Sequence, residues 1–234
     1  MNLLLLSNST APGRPYLAHA ATAVGDLASA ARTGVVAFVP YALADHGAYT
    51  AQVARALAAL GLQVVGVHTG DPVEIVAHAG IVFVGGGNTF RLTAALYRTG
   101  LIAAIQAAVL NGAAYLGSSA GTNVATPSLR TTNDMPIVQP PSFETLGLVP
   151  FQINPHYLDP VPGDTHQGET REERIRQFHE ESDVPVLGLR EGTWLRRRDD
   201  RLTLDGGPAG ARMFRAGREP AELSPGADLS FLLS

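Results

Sequence analysis

Short apolar runs alternate with longer segments of helical spacing through the first half of the chain. Leu3 to Ser7, Gly34 to Val39, Leu62 to Val67 and Ile81 to Val84 predict strands. They are β-branched or Leu-rich without polar alternation, the pattern of strands buried on both faces. Between them, Tyr16 to Arg32, Tyr49 to Leu60 and Pro72 to Ala79 predict helices, the last opened by Asp71-Pro72. Thr89 to Thr99 and Leu101 to Leu110 predict two helical segments broken at Gly100, and Ala113 to Leu116 a further apolar run. Strands alternating with helices imply a mainly parallel, doubly wound α/β sheet with right-handed crossovers.

The second half is less regular. Thr126 to Leu148 is rich in Pro, Thr and Asn and reads as a long loop. Phe151 to Asn154 predicts a short strand, Asp159 to Glu169 a Pro/Gly loop, Thr170 to Glu181 a charged helix and Val186 to Leu189 a strand. From Thr193 onward the pattern predicts β-hairpins with turns at Asp199-Asp200, Gly206-Gly207 and Ala216-Gly217, and Arg196-Arg197-Arg198 reads as a solvated hairpin face. With no repeat and no linker, residues 1–234 are expected to form a single α/β domain.

Composition narrows the chemistry. The net charge of −4 argues against a nucleic-acid surface. No apolar run has membrane-spanning length, and the apolar N-terminus lacks a basic flank, so it reads as a first strand of a cytoplasmic protein. The chain has no cysteine, which removes disulfides, thiolate nucleophiles and Cys-ligated zinc. All 17 basic residues are arginine. Schiff-base, Walker-A and Ser-Lys chemistries therefore fall away.

Gly117-Ser118-Ser119-Ala120-Gly121 follows an apolar run and leads into a small-residue segment. Gly-x-Ser-x-Gly between strand and helix is the layout of a nucleophile elbow, with Ser119 raised above the sheet edge and the Ala120 N–H facing a developing oxyanion. The same residues also suit a plain strand–loop–helix junction. Two other loops follow predicted strands, Gly85-Gly86-Gly87-Asn88 and Asn154-Pro155-His156, and parallel strands would bring all three to one rim. The glycine loop is not Gly-x-Gly-x-x-Gly and has no ribose-binding acid downstream, so Gly87 is read with Ala120 as an oxyanion hole.

A serine needs a base, and His156 at its strand end is the candidate among seven histidines. The base needs an acid to hold its tautomer. Asp134, Glu191 and Asp159 all qualify, and each also suits a loop cap or a surface charge. Thr170 with Glu173 fits a capping box, while Arg171 is a carboxylate clamp candidate.

These blocks together resemble the peptidase E family of α-aspartyl dipeptidases. The resemblance runs from Leu3 to Thr10 through Val84 to Phe90, Gly117 to Asn123, Arg130 to Val138, Gln152 to His156 and Gly168 to Arg171, and closes at Glu191-Gly192-Thr193-Trp194. It implies a class I glutamine amidotransferase-like (flavodoxin-like) fold and hydrolysis of dipeptides with N-terminal aspartate. Ser119 is then the nucleophile, His156 the base, Gly87 and Ala120 the oxyanion hole, and Glu191 or Asp134 the acid. Arg171, with Asn88 and Thr170 beside it, is expected to bind the aspartyl residue. No metal or cofactor is expected, and the protein is expected to act as a monomer or homodimer. Ser118 departs from the family, which often carries a large aromatic before the nucleophile. Competing readings are a cyanophycinase-like β-aspartyl hydrolase, a non-catalytic binding module of the same fold, and a metal hydrolase using His156, His166 and Glu169.

Overall fold

The computed structural model describes residues 1–161, 163, 165 and 167–234. Its elements in chain order are β1 (Asn2–Leu6), α1 (Ala21–Ser29), β2 (Val35–Val39), α2 (His46–Leu57), β3 (Gln63–Gly66), α3 (Pro72–Ala77), β4 (Ile81–Val84), α4 (Thr89–Arg98), α5 (Leu101–Leu110) and β5 (Ala114–Ser118). There follow α6 (Ala120–Asn123), β6 (Gln152–Pro155), α7 (Arg171–Phe178), β7 (Val186–Leu189), β8 (Thr193–Arg198), β9 (Arg201–Gly206), β10 (Ala211–Phe214) and β11 (Ala221–Leu223).

The main sheet has seven strands in the order β3-β2-β4-β5-β1-β8-β9. β1 to β5 run parallel, and β8 and β9 join antiparallel at one side. Alternation along β1 shows why its Leu run is continuous. Leu3 and Leu5 pack with Val82, Val84 and Tyr115 under α3, α4 and α5, while Leu4 and Leu6 pack with Phe38, Phe83 and Leu116 under α1 and α2. Both faces are covered, so neither phase of the strand tolerates polarity. α2, α3 and α4 start where short polar side chains satisfy their first N–H groups. Asp45 accepts from the Ala48 N–H at 2.8 Å, Asp71 from the Val73 N–H at 2.9 Å and Asn88 from the Arg91 N–H at 3.0 Å.

A second sheet, β11-β10-β7-β6, was not foreseen as a separate layer. β6 and β7 pair in parallel, and β10 and β11 extend them antiparallel. The C-terminal strands are thus two hairpins in two sheets. Asp199-Asp200 turns β8 into β9 and Ala216-Gly217 lies between β10 and β11, whereas Gly206-Gly207 marks the change of sheet. There the Gly207 N–H donates to the Gly192 carbonyl at 2.8 Å, which docks the crossing against the turn before β8.

Two further expectations differ. The segment from Tyr16 becomes helical only at Ala18, first as a 3-10 turn, because Leu17 takes φ 60° and its N–H is drawn to the Ser9 carbonyl at 2.7 Å. Arg196 is not solvated. It is 4% exposed and its guanidinium donates to Asp26 at 2.9 Å and to the Leu3 carbonyl at 3.2 Å. The reason is the position of β8 between β1 and β9, which places alternate side chains under α1. Among the described residues, no single helix is long and apolar enough to cross a membrane.

Candidate active site

The carboxyl ends of β1, β4 and β5 meet at Ser119. This residue adopts φ 51° and ψ −110°, outside the regions that side chains favour. The turn is held by the Ser119 N–H on the Leu6 carbonyl at 3.1 Å and the Thr122 hydroxyl on the same carbonyl at 2.6 Å. Gly121 lets α6 sit directly on β4: a Cβ there would lie 2.0 Å from the Val84 carbonyl oxygen. Gly87 is equally constrained. It has φ +133°, and a Cβ would lie 2.6 Å from the Ala42 carbonyl oxygen. The Gly87 N–H makes no hydrogen bond among the described residues, and that of Ala120 is one of the unpaired first-turn donors of α6.

His156 follows β6 with φ 53°, a second strained residue. Its N–H donates to Ser7 Oγ at 2.9 Å, and Ser7 Oγ in turn donates to the Leu189 carbonyl at 2.7 Å. The end of β1 therefore fixes the backbone that carries the imidazole. The ring spans two partners, with Nε2 3.0 Å from Ser119 Oγ and Nδ1 2.6 Å from Glu191 Oε1. An ionised carboxylate only accepts, so Nδ1 carries the proton and Nε2 offers its lone pair to the serine hydroxyl when the ring is neutral. Glu191 sits in a tight turn closed by Thr193, whose N–H and Oγ1 both donate to the Arg190 carbonyl. The Gly192 N–H donates to Asn8 Oδ1 at 2.8 Å, so β1 holds this loop as well.

The other candidate acids lie elsewhere. Asp134 Oδ2 accepts from the Thr89 N–H at 2.7 Å and from Thr89 Oγ1 at 2.6 Å, at the start of α4. Asp159 accepts two hydrogen bonds from Arg190. Neither touches the imidazole, which corrects both as partners of His156; the sequence places all three carboxylates in loops and cannot say which loop returns.

A cavity of about 630 Å³ opens over Ser119. One wall carries Thr89, Asn133, Asp134 and Arg171, and the other Ser9, Thr10, Tyr16 and Tyr49. Burial lowers the Arg171 pKa and the neighbouring Arg174 charge adds to this, while Asp134 acts in the opposite direction. Two expected substrate contacts do not reach the cavity wall. Asn88 caps α4 and donates its amide to the Met135 carbonyl at 2.9 Å. Thr170 caps α7 in a reciprocal box with Glu173. Both side chains are committed to helix ends. Ser118 is fully buried and lines no part of the cavity.

Sequence reading missed Tyr49 and Tyr16. The Gly86 N–H donates to the Tyr49 hydroxyl at 2.9 Å, and the Tyr16 and Tyr49 hydroxyls are 3.1 Å apart. Burial pushes both phenols above their ordinary pKa. Only the apolar ring of Tyr49 is legible in the α2 pattern, as one more core position. No group of three or more potential metal-ligating side chains occurs among the described residues, and His166 lies outside them.

Comparison with known proteins places this geometry in a lineage. Residues 3–204 match the model of peptidase family S51. Peptidase E of Streptomyces coelicolor is 66% identical over 235 residues, covering 100% of this chain and 95% of that relative. A probable alpha-aspartyl dipeptidase of Drosophila melanogaster is 52% identical, covering 99% of this chain and 97% of its own. Among solved structures, a peptidase from an acI-B1 Actinobacterium superposes with a TM-score of 0.69 at 19% identity, covering 98% of this chain and 96% of that one. A putative peptidase E protein from Listeria monocytogenes EGD-e gives 0.62 at 22% identity, covering 88% and 98%. These structural likenesses carry the fold, in keeping with the expected class I glutamine amidotransferase-like architecture. The identities over nearly the whole length carry the ancestry: this chain belongs to peptidase family S51.

Proposed function

We propose that this chain is a serine dipeptidase that hydrolyses dipeptides with an N-terminal aspartate through an acyl-enzyme on Ser119. The single observation that carries the reading is the continuous chain Ser119–His156–Glu191 at 3.0 and 2.6 Å. His156 Nε2 takes the hydroxyl proton as Ser119 Oγ attacks the peptide carbonyl. Glu191 holds the ring and stabilises the imidazolium that forms. General-base action of this kind contributes roughly 10²–10⁴ in rate. The Ser119 turn acts as a nucleophile elbow, and the N–H groups of Gly87 and Ala120 receive the oxyanion, each typically worth about 3–4 kcal/mol. The imidazolium then protonates the leaving amine. Water, activated by the same base, releases aspartate.

Arg171 is assigned to the aspartyl side chain, because a guanidinium pairs a carboxylate in a planar fork. The name of the S. coelicolor relative supports a peptidase, and that of the D. melanogaster relative a dipeptidase. The pairing of β1 with β8 across almost the whole chain supports treating residues 1–234 as one hydrolytic unit.

The deciding assay compares Asp-Leu with β-Asp-Arg. Asp-Leu should be cleaved and β-Asp-Arg spared; the reverse preference overturns the reading in favour of a cyanophycinase-like enzyme. Ser119→Ala should abolish turnover with the thermal midpoint unchanged, and Glu191→Gln should lower kcat by about 10²–10⁴. Retained activity in Ser119→Ala overturns the acyl-enzyme.

A further inference from the structure

The nucleophile and the base stand on different sheets. Ser119 follows β5 of the seven-stranded sheet, and His156 follows β6, the edge strand of the four-stranded sheet. Among the described residues no backbone ladder joins β5 to β6. The 3.0 Å between His156 Nε2 and Ser119 Oγ therefore depends on how the two sheets are fastened together. Ser7 ties the His156 N–H to the end of β1. A second fastener begins in the nucleophile's own helix. Asn123 is the last residue of α6 and is fully buried. Its N–H donates to the Ser119 carbonyl at 2.9 Å, and its carbonyl accepts from the Thr126 hydroxyl at 2.7 Å. Its backbone is thus locked to the nucleophile's turn.

The side chain of Asn123 crosses to the other sheet. Its Nδ2 donates to the Ile153 carbonyl of β6 at 3.0 Å, three residues before His156. Along β6 the Gln152 N–H donates to the Pro185 carbonyl at 2.8 Å on the side of β7, so Ile153 turns its carbonyl to the opposite edge, which no strand covers. The backbone does not need this amide. Thr131 Oγ1 also donates to the Ile153 carbonyl, at 2.9 Å, and satisfies it without Asn123. Asn123 Oδ1 is buried and has no hydrogen-bond partner among the described residues, which works against stability. The fold alone would be served as well by a side chain without an amide. What Asn123 adds is a link: among the described residues it alone hydrogen-bonds the Ser119 backbone at one end and β6 at the other.

We propose that Asn123 is a positioning residue for the proton transfer, its amide setting the separation of Ser119 Oγ and His156 Nε2 by holding β6 against α6. It lines no part of the cavity and touches neither reacting atom. Glu191 reaches the imidazole from the loop after β7, independently of Asn123. The fastener therefore governs the serine–imidazole contact and leaves the imidazole–carboxylate contact alone. Misplacement of about 1 Å at a reacting contact costs roughly 10²-fold in rate, so a single buried amide remote from the substrate has leverage on turnover without a part in binding. The kinetic arm of the test rests on the dipeptidase reading; the spectroscopic arm does not.

The test reads the His156 ring by nitrogen NMR, with histidine isotope-labelled and the imidazole neutral. Ser119→Ala supplies the Nε2 resonance without a serine hydrogen bond. In the wild type Nε2 should lie upfield of that position, the mark of an accepted hydrogen bond. Asn123→Ala should move Nε2 at least halfway to the Ser119→Ala position, while Nδ1, held by Glu191, stays protonated and unmoved. In the same variant kcat for Asp-Leu should fall about 10–100-fold with KM within about twofold. Asn123→Thr keeps the bulk and drops the amide, and it replaces the alanine variant if that does not fold. An Nε2 resonance unmoved in the folded variant, an Nδ1 resonance that moves with it, or a kcat within about twofold of wild type overturns the inference. Coincident Nε2 resonances in wild type and Ser119→Ala overturn it too, since Asn123 then has no serine hydrogen bond to set. If Nε2 moves as expected but the wild-type chain does not cleave Asp-Leu, the dipeptidase reading fails and the role of Asn123 stands.

Discussion

Arg190 grips Asp159 with two hydrogen bonds, Nε to Oδ2 at 2.7 Å and Nη2 to Oδ1 at 2.6 Å. Asp159 lies three residues beyond His156, and Arg190 immediately precedes Glu191. The clamp therefore ties the loop of the imidazole to the loop of its carboxylate partner. Arg190 also donates to Glu222 at 3.0 Å and to the Ala209 carbonyl at 2.9 Å, and its own side chain is 14% exposed.

This clamp makes part of the stability dependent on pH. The hydrogen bonds from Arg190 hold the Asp159 carboxyl below its ordinary range, with burial opposing them and the Arg190 and Arg212 charges assisting. A carboxyl with a depressed folded pKa stabilises the protein above its unfolded pKa, about 3.9, and loses that contribution as pH falls through the folded value. Asp159→Asn should cost on the order of 1 kcal/mol at pH 7, the modest size reflecting an exposed partner. The difference between variant and wild type should shrink as pH drops from 5 to 3. Thermal melts across that range check it; a difference independent of pH would mean that shape, not charge, holds the loops.

Much of the main sheet was legible because burial on two faces leaves an unbroken mark: Leu3–Leu6 and Ile81–Val84 read as interior strands and are interior strands. The positions of Ser119 and His156 were also legible, since both follow short apolar runs at glycine- or proline-marked turns. The choice among Asp134, Asp159 and Glu191 was not. Each is a loop carboxylate, and only the return of β7 beside β6 decides that Glu191 faces His156. Arg196 misled for a related reason: an Arg run looks solvated until the strand carrying it is known to be flanked on both sides. The separate sheet of β6, β7, β10 and β11 was hidden because strand order is a property of pairing, and short strands give no signal of their partners.

Tyr49 links the core to the loop that carries Gly87. Its hydroxyl is the acceptor for the buried Gly86 N–H, and it is backed by Tyr16. Tyr49→Phe keeps the ring, which packs edge-on against Phe38 with centroids 4.9 Å apart. It strands the Gly86 N–H, a loss worth about 1–3 kcal/mol. Part of that loss should appear as displacement of the neighbouring Gly87 N–H. The expected result is a fall in kcat of about tenfold with KM for Asp-Leu little changed, measured by steady-state kinetics. A fall in thermal midpoint with kcat intact would show that the hydroxyl serves the fold alone.

Ser118 offers the opposite case. It lies on β5 opposite Leu6, which in turn faces Trp194 on β8, so its side chain belongs to an apolar cross-strand row. It is fully buried, and its hydroxyl has no hydrogen-bond partner among the described residues. A buried hydroxyl without a partner costs about 1–3 kcal/mol on the mutational scale. Ser118→Ala removes that cost and leaves only a small void, so it should raise stability by about 1 kcal/mol. The side chain faces away from the cavity, so kcat/KM for Asp-Leu should stay within about twofold. Denaturant melts and steady-state assays on the same preparation check both halves. A destabilised variant would mean that the hydroxyl has a partner such as an ordered water, and an altered kcat/KM would place Ser118 in the service of the strained turn it precedes.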